Sequence, residues 1–583
     1  MCKTTLKFMP NKNQKVKDLY IDIPLKDSIA KYFHHTGFGI RSNPSKYIPQ
    51  GKNVVWSLPY VPLRYPSYIW FGETFKGICF FTDMTPILFD NKSNIPSHQF
   101  IRNKNKVTLR IFLATGQENT FIPFEWVCGF QATPVKERPK GFRNYGGSFW
   151  IAKNIPNLNM IGVLAWNKHF FSDISLGQVL VPYNNDYSFL EYILSGKPKD
   201  ENRDQIMQRI NTILKRNNLT DKKWSDIFSG GHDTANLTSR MRQGAIFSRN
   251  KEMGIYLNPR AGYKCWEESE MYDDEWMGSG YRNPTDNHYH RHPVKSYADM
   301  LLYKTREFLR RFPQCKGLYY DNLYPSRKMS LFHGAREISL GNNSFTGDIF
   351  SLRELVKRSL ILAQMEKRFL STDPNYAWLV AHMTDANIVP VIGLTSISLG
   401  WEMKFGRQDF QDRFPEEFHH VQSLGTQTGT IPISIISTSG SKVERAHQHR
   451  TLYAVAFAFD MLNFWDPGSR EEDNSKIFNQ MQILVRSFGY GTNKVKHYTG
   501  YDVKNNIINS SAKDVKITVL KRNDNKIMLL VGNLGKTSNV KLTYKGIKVT
   551  NLKNAENNKP INNNQFTISK HDCLVLVGDY QNL

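Results

Sequence analysis

From about residue 148 to about residue 500, short apolar runs alternate with longer stretches of helical periodicity, and few architectures accept that rhythm for so long. The spacing predicts strands over 160–166, 253–257, 317–320, 376–380, 388–397 and 431–436. It predicts helices over 201–216, 297–312, 352–370, 414–424 and 443–464. Strands that alternate with helices point to parallel pairing, and a stretch of this length points to a (β/α)8 TIM-like barrel. The alternative, a doubly wound sheet, lacks its signatures: no GxGxxG opens a helix after a strand, and no GxxxxGK[ST] occurs.

The flanks have a different texture. Before residue 135 the apolar residues come in short runs such as Tyr68-Ile69-Trp70-Phe71 and Gly77-Ile78-Cys79-Phe80-Phe81, punctuated by Pro, Gly and Asn. That pattern predicts an N-terminal β-sandwich-like domain. Pro134, Pro139, Gly141, Gly146 and Gly147 mark residues 133–147 as a linker. Short alternating strands return after residue 504, over 515–520, 527–531, 540–543, 565–568 and 573–577, and predict a C-terminal β-sandwich. The expected division is therefore multidomain: 1–135, a barrel over 148–503, and 504–583.

Charge and cysteine content narrow the function classes. Lys and Arg number 77 against 52 Asp and Glu, a net charge of +25. Residues 1–60 hold ten basic and three acidic residues, and residues 504–583 hold thirteen and five, with no run of five like charges. This dispersed excess reads as solvated surface, so no nucleic-acid partner is expected. The six cysteines form no CxxC pair, which removes zinc-ribbon and thioredoxin readings, and no cofactor is expected. The apolar stretches are too short and too polar to span a bilayer. No apolar leader follows Met1, which reads as a cytoplasmic chain, or as a secreted or periplasmic one whose start is lost. Oligomeric state leaves no mark in the sequence.

The sharpest local feature is Gly317-Leu318-Tyr319-Tyr320-Asp321-Asn322, an apolar strand that ends in a carboxylate and an amide. At the carboxyl end of a barrel strand, Asp321 is placed to act as nucleophile, base or substrate-orienting acceptor, and Asn322 to bind substrate. The bland reading is an Asp that caps the next turn. Trp401-Glu402 follows the apolar run that ends at Leu399; a Glu beside an aromatic ring suits a general acid, and Trp401 suits a sugar platform. Asp385 and His382 follow another strand, and Asn258 and Arg260 a third; each is a candidate for substrate hydroxyls, as is Trp166 after the first barrel strand. The acidic run 267–275 lacks the DxDxDG spacing of a calcium loop and reads as a solvated lid. His288, His290 and His292 bind a metal only if other ligands converge on them, and no metal is expected. No GxSxG or HExxH is present.

Two strings carry a family likeness. Lys76-Gly77-Ile78-Cys79-Phe80-Phe81 followed by Gly129-Phe130-Gln131-Ala132-Thr133-Pro134-Val135-Lys136 resembles the end of the N-terminal β domain in proteins similar to glycoside hydrolase family 123. Tyr320-Asp321-Asn322, Gly400-Trp401-Glu402 and Phe488-Gly489-Tyr490-Gly491 resemble the barrel of that group. The resemblance spans about residues 50–580 and implies a carbohydrate-active barrel. Family 123 enzymes remove N-acetylgalactosamine with an adjacent Asp-Glu pair, in which the Asp orients the substrate's acetamido group and the Glu is the acid. Asn322 stands where that acid belongs, and an amide does not protonate a leaving group. The expectation is a glycosidase acting on a glycan or polysaccharide, with Asp321 and Glu402 as its carboxylates. The alternative is a non-catalytic glycan-binding protein on a decayed barrel.

Overall fold

The computed structural model describes residues 1–9, 15–36, 45–50, 55–59, 66–83, 88–89, 96–120, 124–148, 159–164, 197, 200–202, 204–206, 208–209, 212, 252–259, 261–263, 267–282, 288–313, 315–325, 347–382, 387–401, 406–436, 438–465 and 472–583. Among the described residues, eight strands follow the expected alternation: β1 (Tyr145–Ser148), β2 (Asn159–Leu164), β3 (Glu252–Leu257), β4 (Gly317–Tyr320), β5 (Leu379–His382), β6 (Ile397–Gly400), β7 (Ile431–Ile436) and β8 (Leu462–Trp465), while Ala261–Tyr263, Met277–Arg282 and His288–Arg291 form a separate three-stranded sheet. The eight follow one another in hydrogen-bonded order and form a closed barrel. The pairs β1–β2, β1–β8, β3–β4, β4–β5 and β7–β8 are parallel. Among the described residues, four long helices accompany them: α1 (Lys295–Arg311), α2 (Ile349–Met365), α3 (Lys442–Phe459) and α4 (Glu472–Phe488).

Three expectations need correction. The apolar run 388–397 is not one strand. Val389–Ile392 makes a helical turn before β6 begins. Pro390 is the physical reason, because a proline has no N–H to give a sheet ladder but fits the first turn of a helix. The helix predicted over 443–464 stops at Phe459, where Asp460 turns left-handed at φ 53°, and β8 follows. Part of the predicted linker, Tyr145–Ser148, is the strand β1.

The chain divides into two compact units, one of Met1–Glu137, Gly162–Ser398 and Thr426–Thr430, the other of Arg138–Ile161, Leu399–Gly425 and Ile431–Leu583. The first unit holds a six-stranded antiparallel sheet and a five-stranded sheet that is antiparallel except for the short strand Leu88–Phe89, which pairs parallel to its neighbour. Phe33, Ile69, Phe71, Phe80, Phe100, Leu109, Ile111 and Trp126 form their common core. All five residues of the strand Tyr68–Gly72 are buried, so it packs on both faces. Ile69 and Phe71 enter that core, while Trp70 donates its indole N–H to Thr133 at 3.0 Å. The Gln131–Lys136 string, the most specific part of the family resemblance, works here as an anchor. Val135 N–H donates to Gln427 at 3.0 Å, Gln427 donates to Thr74 O at 2.7 Å, and Lys136 Nζ donates to Thr395 O at 2.7 Å.

That anchor has a measurable signature. Burial lowers the Lys136 amine from 10.5 to about 8. Between those values the unfolded chain binds a proton that the folded chain does not, so stability rises with pH through this window. Lys136→Met removes the rise. Chemical denaturation of both proteins from about pH 8 to about pH 10.5 is expected to show wild type gaining stability relative to the variant. Parallel curves would contradict it.

The strand order β3-β4-β5 is fixed locally by Trp378, which is fully buried just before β5. A Cβ at Gly254 in β3 would strike the Trp378 ring, and a Cβ at Gly317 in β4 would strike its backbone carbonyl. Only glycine lets the three strands close around this indole, whose N–H donates to Glu252 at 3.0 Å. Glycines inside strands have this meaning: something approaches closely.

In the second unit, five- and three-stranded antiparallel sheets enclose a core of Ile517, Val519, Leu529, Val531, Val540, Leu542 and Leu576. Helix α3 begins with a reciprocal cap between Ser441 and Glu444 and packs on the strand Lys526–Asn533. At its far end lies a buried ion pair. Arg143, just before β1, reaches Asp460 at 2.5 Å, and the Tyr490 hydroxyl donates to the same carboxylate at 2.9 Å.

Candidate active site

Asp321 is the first residue beyond β4, and the strand's alternation decides what its neighbours do. Side chains two apart on a strand share a face. Tyr320 points one way, to Ser359 of α2 at 2.7 Å, and Tyr319 and Asp321 point the other way, to His382. The parallel register pairs Tyr320 with Ala381, which sets His382 beside Asp321 at the carboxyl end of β5. His382 Nδ1 lies 3.0 Å from Asp321 Oδ1 and 2.8 Å from the Tyr319 hydroxyl. His382 is 4% exposed, while the Asp321 side chain is 18% exposed.

Asn322 completes the grip. It adopts φ 55°, a left-handed conformation that asparagine tolerates better than most residues. Its backbone N–H donates to Asp321 Oδ1 at 2.8 Å and its side-chain amide to Oδ2 at 3.2 Å. Two backbone bonds continue the stitching past the strand ends: Asp321 N–H to Leu257 O at 2.8 Å, and Leu323 N–H to His382 O at 3.2 Å. The ends of β3, β4 and β5 are thus locked together around one carboxylate.

Support comes from a distance in sequence. Helix α2, which carries Ser359, begins after Asp348, and the carboxylate of Asp83 from the sheet region accepts from the N–H groups of Ile349 at 2.6 Å and Phe350 at 3.1 Å. An anionic oxygen at a helix N-terminus satisfies N–H groups that lack a partner within the helix. His292, one of the three clustered histidines, places Nδ1 3.1 Å from Asp348, and both side chains are fully buried. The side chains of His288 and His290 lie outside the described residues. The acidic run expected as a lid is the helix Glu267–Trp276.

The other sequence candidates fall in three places. Asn258 follows β3 and is half-buried. Trp401 is a core residue of the second unit. It is 4% exposed, its ring stacks on Phe414 with centroids 4.0 Å apart, and Phe410, Phe418 and His419 surround it. A ring so enclosed offers no face to a sugar. Trp166, Arg260, Asp385 and Glu402 lie outside the described residues. Tyr319 was not among the candidates, because a tyrosine in an apolar strand reads as core; its position two residues before Asp321 is the signal.

Among the described residues, ligand atoms of Asp409, Asp412 and His571 in the second unit lie within 4.8 Å of one another. The Asp409 carboxylate there already accepts from His571 at 2.7 Å and lies 3.0 Å from His447. No described helix is long and apolar enough to cross a membrane.

No protein-family model matches the chain and no curated protein matches its sequence, so the family 123 resemblance gains no support there. Among solved structures, the GH36 alpha-galactosidase AgaB from Geobacillus stearothermophilus is similar at 10% identity and a TM-score of 0.44, over 96% of this chain and 76% of that one. The alpha-galactosidase from Lactobacillus brevis is similar at 9% identity and a TM-score of 0.42, over 96% and 75%. A noncanonic maltogenic alpha-amylase, AmyB, from Thermotoga neapolitana is similar at 11% identity and a TM-score of 0.35, over 61% and 83%. At these scores the likeness assigns neither substrate nor residue to this chain.

Proposed function

We propose that the chain is a glycoside hydrolase on a (β/α)8 TIM-like barrel, with Asp321 as its reacting carboxylate. The observation that carries this reading is Asp321 itself: a partly exposed carboxylate at the carboxyl end of a parallel barrel strand, gripped by donors from Asn322 and His382. Barrel enzymes place their reacting groups at that end, and a group held in one geometry needs no reorganisation to attack.

The chemistry divides into two balanced steps. The Asp321 carboxylate bonds to the anomeric carbon as the glycosidic C–O bond breaks, and the leaving oxygen takes a proton from a carboxylic acid. Water then attacks the glycosyl ester and gives its proton back to that second carboxylate, and Asp321 departs unchanged. Glu402, two residues beyond β6, is the proposed acid and base. Asn322 favours this scheme over the family 123 one, because its amide is committed to Asp321, where family 123 has its acid. An N-acetylhexosamine-containing glycan is the substrate class that the family resemblance suggests.

A panel of aryl glycosides, N-acetylhexosaminides included, tests the proposal with wild type and Glu402→Gln. Turnover of one sugar, reduced about a hundredfold or more in the variant, is the expected result. Glycan binding without turnover of any sugar would instead identify a binding protein.

A further inference from the structure

We propose that His382 is the positioning residue of Asp321: it donates Nδ1–H to Oδ1, and so directs Oδ2 at the substrate. This rests on Asp321 being the reacting carboxylate, and it gives His382 a different task from holding a sugar hydroxyl. One nitrogen, Nδ1, faces two oxygens, at 3.0 Å on Asp321 and 2.8 Å on Tyr319. A bare Nδ1 would set its lone pair against an anionic oxygen. A protonated Nδ1 donates to the carboxylate and shares that hydrogen with the Tyr319 hydroxyl, which is attractive on both sides.

The consequence is an asymmetry between the two carboxylate oxygens. Oδ1 accepts from His382 and from the Asn322 backbone N–H at 2.8 Å, two donors for its two lone pairs, whereas the Asn322 side-chain amide reaches Oδ2 at the longer 3.2 Å. An oxygen so occupied is a poor nucleophile, and bond formation falls to Oδ2. The imidazole is well placed to enforce this. It ends a strand whose four residues are all buried, and its own carbonyl accepts from Leu323.

Two substitutions separate this role from a structural one. His382→Leu removes the donor. His382→Asn returns an N–H near the place of Nδ1. On the glycoside that wild type turns over, kcat of the Leu variant is expected to fall about a hundredfold, the scale of a misplaced reacting group, with KM changed less than about threefold. The Asn variant should recover to within about tenfold of wild type. A raised KM with kcat retained would make His382 a sugar ligand, and equal losses in both variants would make it structural; either overturns the proposal. Nitrogen NMR of the full chain with labelled histidine provides a readout independent of turnover. The neutral His382 imidazole should carry its proton on Nδ1, and a proton on Nε2 overturns the proposal. If wild type cleaves no glycoside, the reading of Asp321 fails, while the tautomer still decides the His382 bond.

Discussion

Asp321→Asn is expected to lower kcat/KM by about 10⁴-fold, some 5 kcal/mol of transition-state stabilisation. The change is isosteric. An asparagine oxygen still accepts from the Asn322 backbone N–H, which comes within 2.8 Å, so folding should survive. What disappears is an anionic oxygen able to form the glycosyl ester, because an amide oxygen is too weak a nucleophile to replace it. The substrate dependence of the loss is diagnostic. If Asp321 is the nucleophile, every sugar that wild type cleaves loses turnover together. If it orients an acetamido group, the loss is confined to N-acetylhexosaminides. A variant with wild-type kcat on its best glycoside, and wild-type thermal unfolding, would remove Asp321 from the chemistry.

How much of this was legible in the sequence depends on the range of the interaction. The strand Gly317–Tyr320 was predicted with its observed bounds, because a buried strand must be apolar on both faces and a carboxylate must end it. The partnership of Asp321 with His382 was not, because register between parallel strands is set by packing around Trp378, through glycines that carry no periodic signal. Some signals were present and misread. Phe410, Phe414 and Phe418 recur every four residues and enclose Trp401, which its neighbour Glu402 had made look like a sugar platform, although Phe414 is extended between two short helices and the three share no single helical face. Pro390 similarly stood against a strand over 388–397. Distant pairings left no trace: Asp83 caps a helix that starts 266 residues later, and Arg143 meets an aspartate 317 residues away. Buried charges say only that a partner exists, never where it is.

That last pair carries the largest effect expected on stability. Arg143→Leu should destabilise the fold by about 3–5 kcal/mol, the usual cost of leaving one charge of a buried pair behind, and a large part of the total stability of a typical domain. The Asp460 side chain is fully buried, and its carboxylate takes both Arg143 Nε at 2.9 Å and Arg143 Nη2 at 2.5 Å. Burial pushes the Asp460 carboxyl up, but the Arg143 guanidinium outweighs burial and holds it below its ordinary 3.8. The sign follows from that balance. In wild type the pair's contribution is fully present above that ordinary value and is lost as pH falls below it. In Arg143→Leu burial still pushes the carboxyl up while the largest opposing charge is gone, leaving Arg138, His497 and the Tyr490 hydroxyl to hold it down, so the carboxyl is easier to protonate than in wild type, and acid relieves the variant. The stability gap between wild type and variant should therefore be widest near neutral pH and narrow toward pH 4, as urea denaturation at several pH values would show. Arg143→Leu with Asp460→Leu should recover part of the loss, since two apolar side chains leave no charge stranded. This ion pair sits where α3 hands over to β8 and the chain enters β1, at the amino ends of two paired strands. A single variant as stable as wild type at neutral pH would mean that the frame closes without it.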